Sequence, residues 1–188
     1  MTGGLFETSL PLPEGLVYEP EALSFAEEQA LLDSIRPLEF GEVRMHGIVA
    51  RRRVIQLGWH YGFSRRALTP GREMPAFLLP IRERVGALTG TEPAAFSEAL
   101  ITEYAPGAAI GWHRDAPPFD VIVGVSLLSP CRFRFRRGPA GGRETRELVL
   151  APRSIYVLDG PARTEWEHSI PPATELRYSI TFRTLRPR

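Results

Sequence analysis

At 188 residues the chain is long enough to close one substantial core, which predicts a single domain spanning 1–188. No apolar run approaches the length of a membrane span, and no basic start followed by an apolar block marks a secretion leader, so membrane and exported classes are excluded as expectations. One cysteine, Cys131, excludes an internal disulfide, fits a reducing, cytoplasmic setting and reads as a small buried apolar residue.

The formal net charge of +1 hides an asymmetry. Residues 1–35 hold seven acids and no arginine, 36–72 hold eight arginines against Glu39 and Glu42, and 131–147 hold six arginines against Glu144 and Glu147. Two basic segments read either as a surface for an anionic ligand or as ordinary solvated faces.

In chain order, the proline-rich stretch 1–20 predicts an extended arm packed on the domain. Ser24-Phe25-Ala26-Glu27 is a capping-box pattern opening a helix, with Phe25, Leu31, Leu32 and Ile35 on one stripe and a stop before Pro37. Residues 41–63 read as a β-ribbon through Val43, Met45, Ile48, Val54, Ile55 and Leu57. A second helix is predicted over 76–88, with Phe77, Ile81, Val85 and Leu88 on its face, Pro80 in its first turn and Gly90 as terminator.

From Ala99 the pattern is almost all strand: 99–104, 110–115, 121–128, 131–136, 146–151, 153–158, 165–170 and 177–184. Short strands punctuated by Pro, Gly and Asp predict a mainly β fold with flanking helices. Its form would be a jelly-roll barrel (a double-stranded β-helix) buttressed by N-terminal helices. Residues 1–98 would supply helical support, and 99–184 the jelly-roll core. On 131–136, Cys131, Phe133 and Phe135 should face inward and Arg132, Arg134 and Arg136 outward.

The chemistry concentrates in two of these strands. Ala99 to Tyr104 leads through a Pro106-Gly107 turn to a short strand ending His113-Arg114-Asp115. In an extended chain His113 and Asp115 share a face, supplying one imidazole and one carboxylate of the two-His-one-carboxylate set that holds non-haem Fe(II). Of the remaining histidines His46, His60 and His168, the last lies on a strand near the end of the barrel. Alone, His168 reads as a structural histidine; in a set it is the natural third ligand. The strand from Arg177 to Arg183 puts Arg177, Ser179, Thr181 and Arg183 on one face and Tyr178, Ile180 and Phe182 on the other. Such a polar face needs an anionic partner if it lines the barrel, and guanidinium grips carboxylate in a bidentate way.

His113-x-Asp115, His168 and Arg177 together resemble the Fe(II)- and 2-oxoglutarate-dependent dioxygenases. Within them, Tyr104-Ala-Pro-Gly107 leading into His113-x-Asp115, and Arg177-x5-Arg183 ending in Ile-Thr-Phe-Arg, resemble the AlkB family of oxidative nucleic-acid dealkylases. Arg52-Arg53-Val-Ile-Gln-Leu-Gly58 with Tyr61 resembles that family's substrate-lid region.

The resemblance implies an oxidoreductase that uses Fe(II), 2-oxoglutarate and O2, with His113, Asp115 and His168 as metal ligands. Arg177 would hold the distal carboxylate of 2-oxoglutarate with the Tyr104 hydroxyl, Thr102 and Ser179, and Arg183 would approach the nearer carboxylate. Six residues of extended strand span about 20 Å, so both arginines must lean inward to reach one small molecule. Many family members have Asn where this chain has Thr102 and Ser179, and an acid shortly after His-x-Asp where it has Ala116-Pro117-Pro118-Phe119.

The implied activity is DNA or RNA repair by demethylation of N-alkylated bases. The partner would be alkylated nucleic acid, with no membrane and a monomeric chain. A flipped base needs stacking and phosphate contacts, for which Arg52, Arg53, Trp59, Tyr61 and Trp112 are candidates. Two alternatives are carried: a 2-oxoglutarate-dependent hydroxylase of a small molecule or protein side chain, and a non-catalytic metal- or nucleic-acid-binding barrel.

Overall fold

A computed structural model describes residues 11–45, 48–62 and 67–187, with the backbone alone for Arg44, Met45 and Ile48. His46 therefore lies outside the described residues. Twelve strands and three helices follow one another: β1 (Leu16–Glu19), α1 (Phe25–Ile35), β2 (Gly41–Met45), β3 (Ile48–Gly62), β4 (Ala67–Pro70), α2 (Leu79–Thr89), β5 (Phe96–Tyr104), β6 (Ile110–His113), β7 (Phe119–Leu127), β8 (Cys131–Arg137), β9 (Glu144–Leu150), β10 (Ile155–Leu158), α3 (Gly160–Thr164), β11 (Glu167–Ile170) and β12 (Arg177–Leu185).

The large sheet runs β1-β10-β7-β12-β5-β3-β2, with β4 added to β3, and the small sheet runs β6-β11-β8-β9. Every ladder between these strands is antiparallel. The two sheets face each other as an open jelly roll rather than a fully closed barrel.

Two apolar clusters explain why the large sheet reads as nearly continuous burial. On its outer face Ile55, Leu57, Ile101, Val125, Ile180 and Phe182 meet Leu31, Leu32 and Ile35 of α1 and Ile81 and Val85 of α2. On its inner face Tyr104, Ile122 and Tyr156 meet Phe133, Phe135 and Ile170 of the small sheet. The helices thus buttress the sheet as predicted, and a sheet covered on both faces shows little solvent alternation.

The capping box of α1 is present: Ser24 Oγ accepts from the Glu27 N–H at 3.2 Å, and Glu27 Oε2 accepts from the Ser24 N–H at 2.7 Å. Phe25 departs from its predicted place, being 66% exposed. The buried stripe is Glu28, Leu31, Leu32 and Ile35, spaced three, four and seven residues apart. Glu28 takes the fourth position because its Oε1 accepts the Leu128 N–H at 2.8 Å. In α2, Pro80 sits in the first turn and Gly90 caps at φ 65°, whereas Leu88, near the helix end, is 37% exposed.

The β8 arginines face outward, as the alternation predicts, and do not form an open cationic surface. Arg132 pairs with Glu147 at 2.7 Å, Arg136 with Glu167 at 2.7 Å, and Arg137 with Glu144 and Glu165 at 2.6 and 2.9 Å. Arg146 also pairs with Glu144. Such surface pairs are worth about 0–1 kcal/mol each, so they neutralise the face more than they stabilise it.

Candidate metal and co-substrate site

The site lies between the sheets, and its parts come from both. In the small sheet β11 pairs with β6 so that His168 lies directly opposite His113. Their rings stand 4.3 Å apart at an interplanar angle of 62°. β6 ends at His113, so Asp115 sits in the loop that follows rather than on the predicted longer strand. Its Oδ2 is 3.4 Å from His168 Nε2. One nitrogen or oxygen from each of His113, Asp115 and His168 lies within 4.8 Å of the others. Among the described residues this is the one such group.

Each donor is held in its ligand form. His113 Nδ1 is 2.8 Å from the Gly111 carbonyl oxygen. A carbonyl can only accept, so Nδ1 carries a proton there and Nε2 is the ring atom left to serve as a ligand. Burial depresses the His168 pKa to about 3, overriding the opposing pull of Asp115, so its imidazole is neutral. Burial alone would raise the Asp115 pKa; the Arg183 guanidinium in contact with it outweighs burial and holds the carboxyl well below the usual range. A neutral His168 imidazole, an ionised Asp115 carboxylate and the His113 ring beside them make up the nitrogen and oxygen donor set that suits Fe(II) with open positions left for other ligands.

The loop carrying Asp115 is clamped by Arg163 of α3, a residue without a sequence signal. Its Nη2 donates to the carbonyls of Asp115, Ala116 and Phe119 at 3.3, 2.9 and 2.8 Å. On the other side, the Ala105-Pro106-Gly107-Ala108 turn has Gly107 at φ 83°, which a side chain would strain, and the Ala108 N–H returns to the Ala105 carbonyl at 2.8 Å. The Gly107 N–H and Ala108 carbonyl bond Ala173, tying the turn to the loop before β12.

A cavity of about 890 Å³ opens from the triad between the sheets. Thr102, Tyr104, Tyr156, Thr181 and Arg183 line it together with apolar side chains such as Leu100, Ile122 and Phe133. Tyr156 can lie there because Gly124 faces it: a Cβ at Gly124 would come within 2.2 Å of the ring.

Arg177, across from Tyr104 in the β12–β5 ladder, is 1% exposed. Its guanidinium sits 4.7 Å from the Tyr104 ring centroid, and Nη2 donates to Ser126 Oγ at 3.1 Å. Nε and Nη1 are buried with no hydrogen-bond partner among the described residues. A buried cation with two unspent donors fits a small carboxylate ligand. Ser179 is buried opposite Thr102 in the same ladder. Arg183 sits elsewhere: Nε and Nη2 reach Asp115 Oδ1 at 2.8 and 2.6 Å, and Nη1 reaches Glu98 Oε2 at 2.9 Å. Three of its five N–H donors are thereby engaged.

The lid-region candidates divide by face. Arg52, Val54, Gln56 and His60 of β3 line the cavity, with Tyr61 beside them. Arg52 Nη1 also donates to the Ala109 carbonyl at 3.3 Å. Arg53 pairs with Glu103 at 2.7 Å and lies over the Phe40 ring. Trp59 is 41% exposed and Trp112 is stacked by Arg134 and Arg136 on the outside of the small sheet; neither lines the cavity. Glu98 was invisible to sequence reasoning because its partner lies on another strand, whereas Gln56 and His60 share the alternation of Arg52.

Comparison with known proteins agrees with this geometry. The model of the 2OG-Fe(II) oxygenase superfamily matches residues 25–183. The Arabidopsis thaliana "Alkylated DNA repair protein ALKBH8 homolog" is 29% identical over 191 residues, 89% of this chain and 53% of its own length. The Mus musculus "DNA oxidative demethylase ALKBH2" is 34% identical over 144 residues, 69% of this chain and 59% of its own. The chain thus spans little more than half the length of these relatives.

The Bos taurus mitochondrial "Alpha-ketoglutarate-dependent dioxygenase alkB homolog 7" is 32% identical over 164 residues, covering 85% of this chain and 68% of its own. In fold, the chain superposes on the solved structure of OsALKBH1 with a TM-score of 0.68 at 13% identity, covering 90% of this chain and 98% of that one. A Pseudomonas putida prolyl-4-hydroxylase gives a TM-score of 0.62 at 14% identity, covering 92% and 93%. With its three metal donors converged beside a buried arginine, the chain belongs to the 2OG-Fe(II) oxygenase superfamily and, within it, to the AlkB homologues.

Proposed function

We propose that the protein is an Fe(II)- and 2-oxoglutarate-dependent dioxygenase that removes alkyl groups from nucleic-acid bases by oxidation. The observation that carries this reading is the convergence of His113, Asp115 and His168 on a cavity also lined by Tyr104, whose ring meets the Arg177 guanidinium with its two unspent donors. Bound iron with 2-oxoglutarate and O2 would supply the oxidation, giving succinate, carbon dioxide and one oxygen atom inserted at the alkyl C–H bond. His113 Nε2, Asp115 Oδ2 and His168 hold the metal. Arg177 grips the distal carboxylate with Tyr104, Thr102 and Ser179, and the two remaining N–H groups of Arg183 serve the carboxylate nearer the metal. The apolar lining excludes water and holds the alkyl carbon at the metal. The hydroxylated alkyl group then leaves as an aldehyde, freeing the base.

A nucleic-acid substrate is supported by similarity to the DNA oxidative demethylase ALKBH2 and the alkylated DNA repair protein ALKBH8 homolog and by the β3 row facing the cavity. Arg52 and Tyr61 would meet the flipped nucleotide, while the proposed role of Arg53, Trp59 and Trp112 moves to nucleotides flanking it. We assign residues 1–188 to one domain, acting as a monomer in the cytoplasm, where a lone thiol stays reduced. Among the described residues no helix is long and apolar enough to cross a membrane.

The test is formaldehyde release from oligonucleotides carrying N1-methyladenine or N3-methylcytosine, in DNA and RNA, with iron-loaded protein. Release that depends on 2-oxoglutarate supports the reading. Consumption of 2-oxoglutarate without formaldehyde would favour hydroxylation of a small molecule or protein side chain, and no consumption on any substrate would favour a non-catalytic barrel.

A further inference from the structure

Glu98 is a carboxylate with 2% exposure on β5, in the middle of the large sheet, and the reaction gives it no part. It is the register partner of Arg183 in the β12–β5 ladder. Arg183 Nη1 donates to Glu98 Oε2 at 2.9 Å, while Nε and Nη2 both hold Asp115 Oδ1. The other oxygen of Asp115, Oδ2, is the one turned toward His168. Three charged groups therefore lie in a row, acid–base–acid, with the metal donors at one end.

The charge balance of that row has a consequence. An imidazole ligates only as a neutral ring, so the triad would bring a single negative charge, from Asp115, to a dication. Arg183 in direct contact cancels it. Glu98 on the far side of the guanidinium cancels Arg183 in turn, so the row as a whole keeps one net negative charge. Attraction in a buried site falls slowly with distance and is poorly screened, so this second carboxylate reaches the ion. By occupying Nη1 it also keeps the guanidinium turned to Oδ1, leaving Oδ2 for the metal.

We propose that Glu98 is a positioning residue for the metal centre, acting through Arg183 to restore the negative charge that Arg183 removes and to hold Asp115 in one-oxygen ligation. The proposal rests on the reading of His113, Asp115 and His168 as metal ligands. Outer partners of metal ligands typically carry about 10–100-fold in metal affinity, and Glu98 should fall in that range.

The experiment is titration of the purified apo protein with Co(II) at pH 8, followed by visible absorption and calorimetry, with circular dichroism as the check on folding. E98Q keeps the shape and loses the charge; it should bind Co(II) about 10–100-fold more weakly than the unmodified protein. E98D keeps the charge and loses the fit; it should bind within about threefold of the unmodified protein. E98Q/R183M removes both buried charges and should recover affinity to within the same range.

E98Q binding as tightly as the unmodified protein, or E98D weakened as much as E98Q, would overturn the proposal while leaving the metal site intact. An unmodified chain that binds no Co(II) would instead refute the metal reading. Should E98Q lose its fold, R183M is compared with E98Q/R183M: R183M must bind more tightly, and equal affinity overturns the proposal.

Discussion

Replacing Arg177 by methionine should have effects of opposite sign on the ligand-free and ligand-bound protein. Hydrogen bonds to charged groups are worth about 1.5–3 kcal/mol each, and the guanidinium can offer two to a carboxylate, so about 3–6 kcal/mol of co-substrate affinity is at stake. At 1.4 kcal/mol per tenfold, the Kd for 2-oxoglutarate should rise at least about a hundredfold.

The ligand-free protein, by contrast, carries the penalty of a cation that is 1% exposed and has no carboxylate partner among the described residues. That penalty is several kcal/mol, offset by about 2 kcal/mol from the Tyr104 face and by the bond to Ser126. Methionine removes penalty and offsets together, so the variant should melt no lower than the parent. Thermal melts with Mn(II), with and without 2-oxoglutarate, read both effects. At a ligand concentration of about a hundred times Kd the parent should gain about 2.7 kcal/mol, or roughly 5–10 °C, and the variant nothing. A variant that melts lower without ligand and keeps its ligand-induced shift would refute the reasoning, because Arg177 would then be a structural cation.

Replacing His113, Asp115 or His168 singly by alanine should abolish both Co(II) binding and formaldehyde release; full activity in D115A would dismiss the ligand assignment. R52A should weaken binding of methylated oligonucleotides more than R53A, whose side chain is engaged by Glu103 away from the cavity; the reverse order in a binding assay would contradict the division of β3 by face. Glu27 is held at about 2 against an ordinary 4.5 by hydrogen bonds from Arg84 and Ser24. Because the folded-state pKa is depressed, this stabilisation is present above pH 4.5 and drains away as the pH falls toward 2. E27Q should therefore melt lower than the parent at pH 7 and converge with it near pH 2, as a series of acid melts would show. G124A should displace the Tyr156 ring and raise the Kd for 2-oxoglutarate in the same Mn(II) melts; an unchanged Kd would show that the ring does not shape that end of the cavity.

Much of this architecture was legible because its signals are local. Alternation on β8 and β12 assigned inward and outward rows, Pro106-Gly107 marked the turn, and Ser24 with Glu27 marked the start of α1. Less local features escaped. Residues 160–164 form α3, capped by Asp159 with Pro161 in its first turn, and five residues are too few for a helical period to announce it. The outward ion pairs of β8 depend on the register with β9 and β11, which composition does not reveal, so charge alone left a ligand surface and a solvated face as alternatives where glutamates pair with the arginines. Arg163 and Glu98 act across distant strands and loops, and no spacing announces them. Phe25 was misplaced because a helical stripe has two ends, and only the partner at Leu128 decides which acid or aromatic closes it.

One strand serves two masters in this fold. Along β3, odd-numbered Ile55 and Leu57 pack toward the helices, while even-numbered Arg52, Val54 and Gln56 look into the cavity. Slipping the chain by a single residue would exchange these rows, driving a guanidinium into oil and greasy side chains over the ion. Selectivity in this enzyme is therefore free to drift by swapping alternate side chains in place, while insertions or deletions along the same stretch are closed to it.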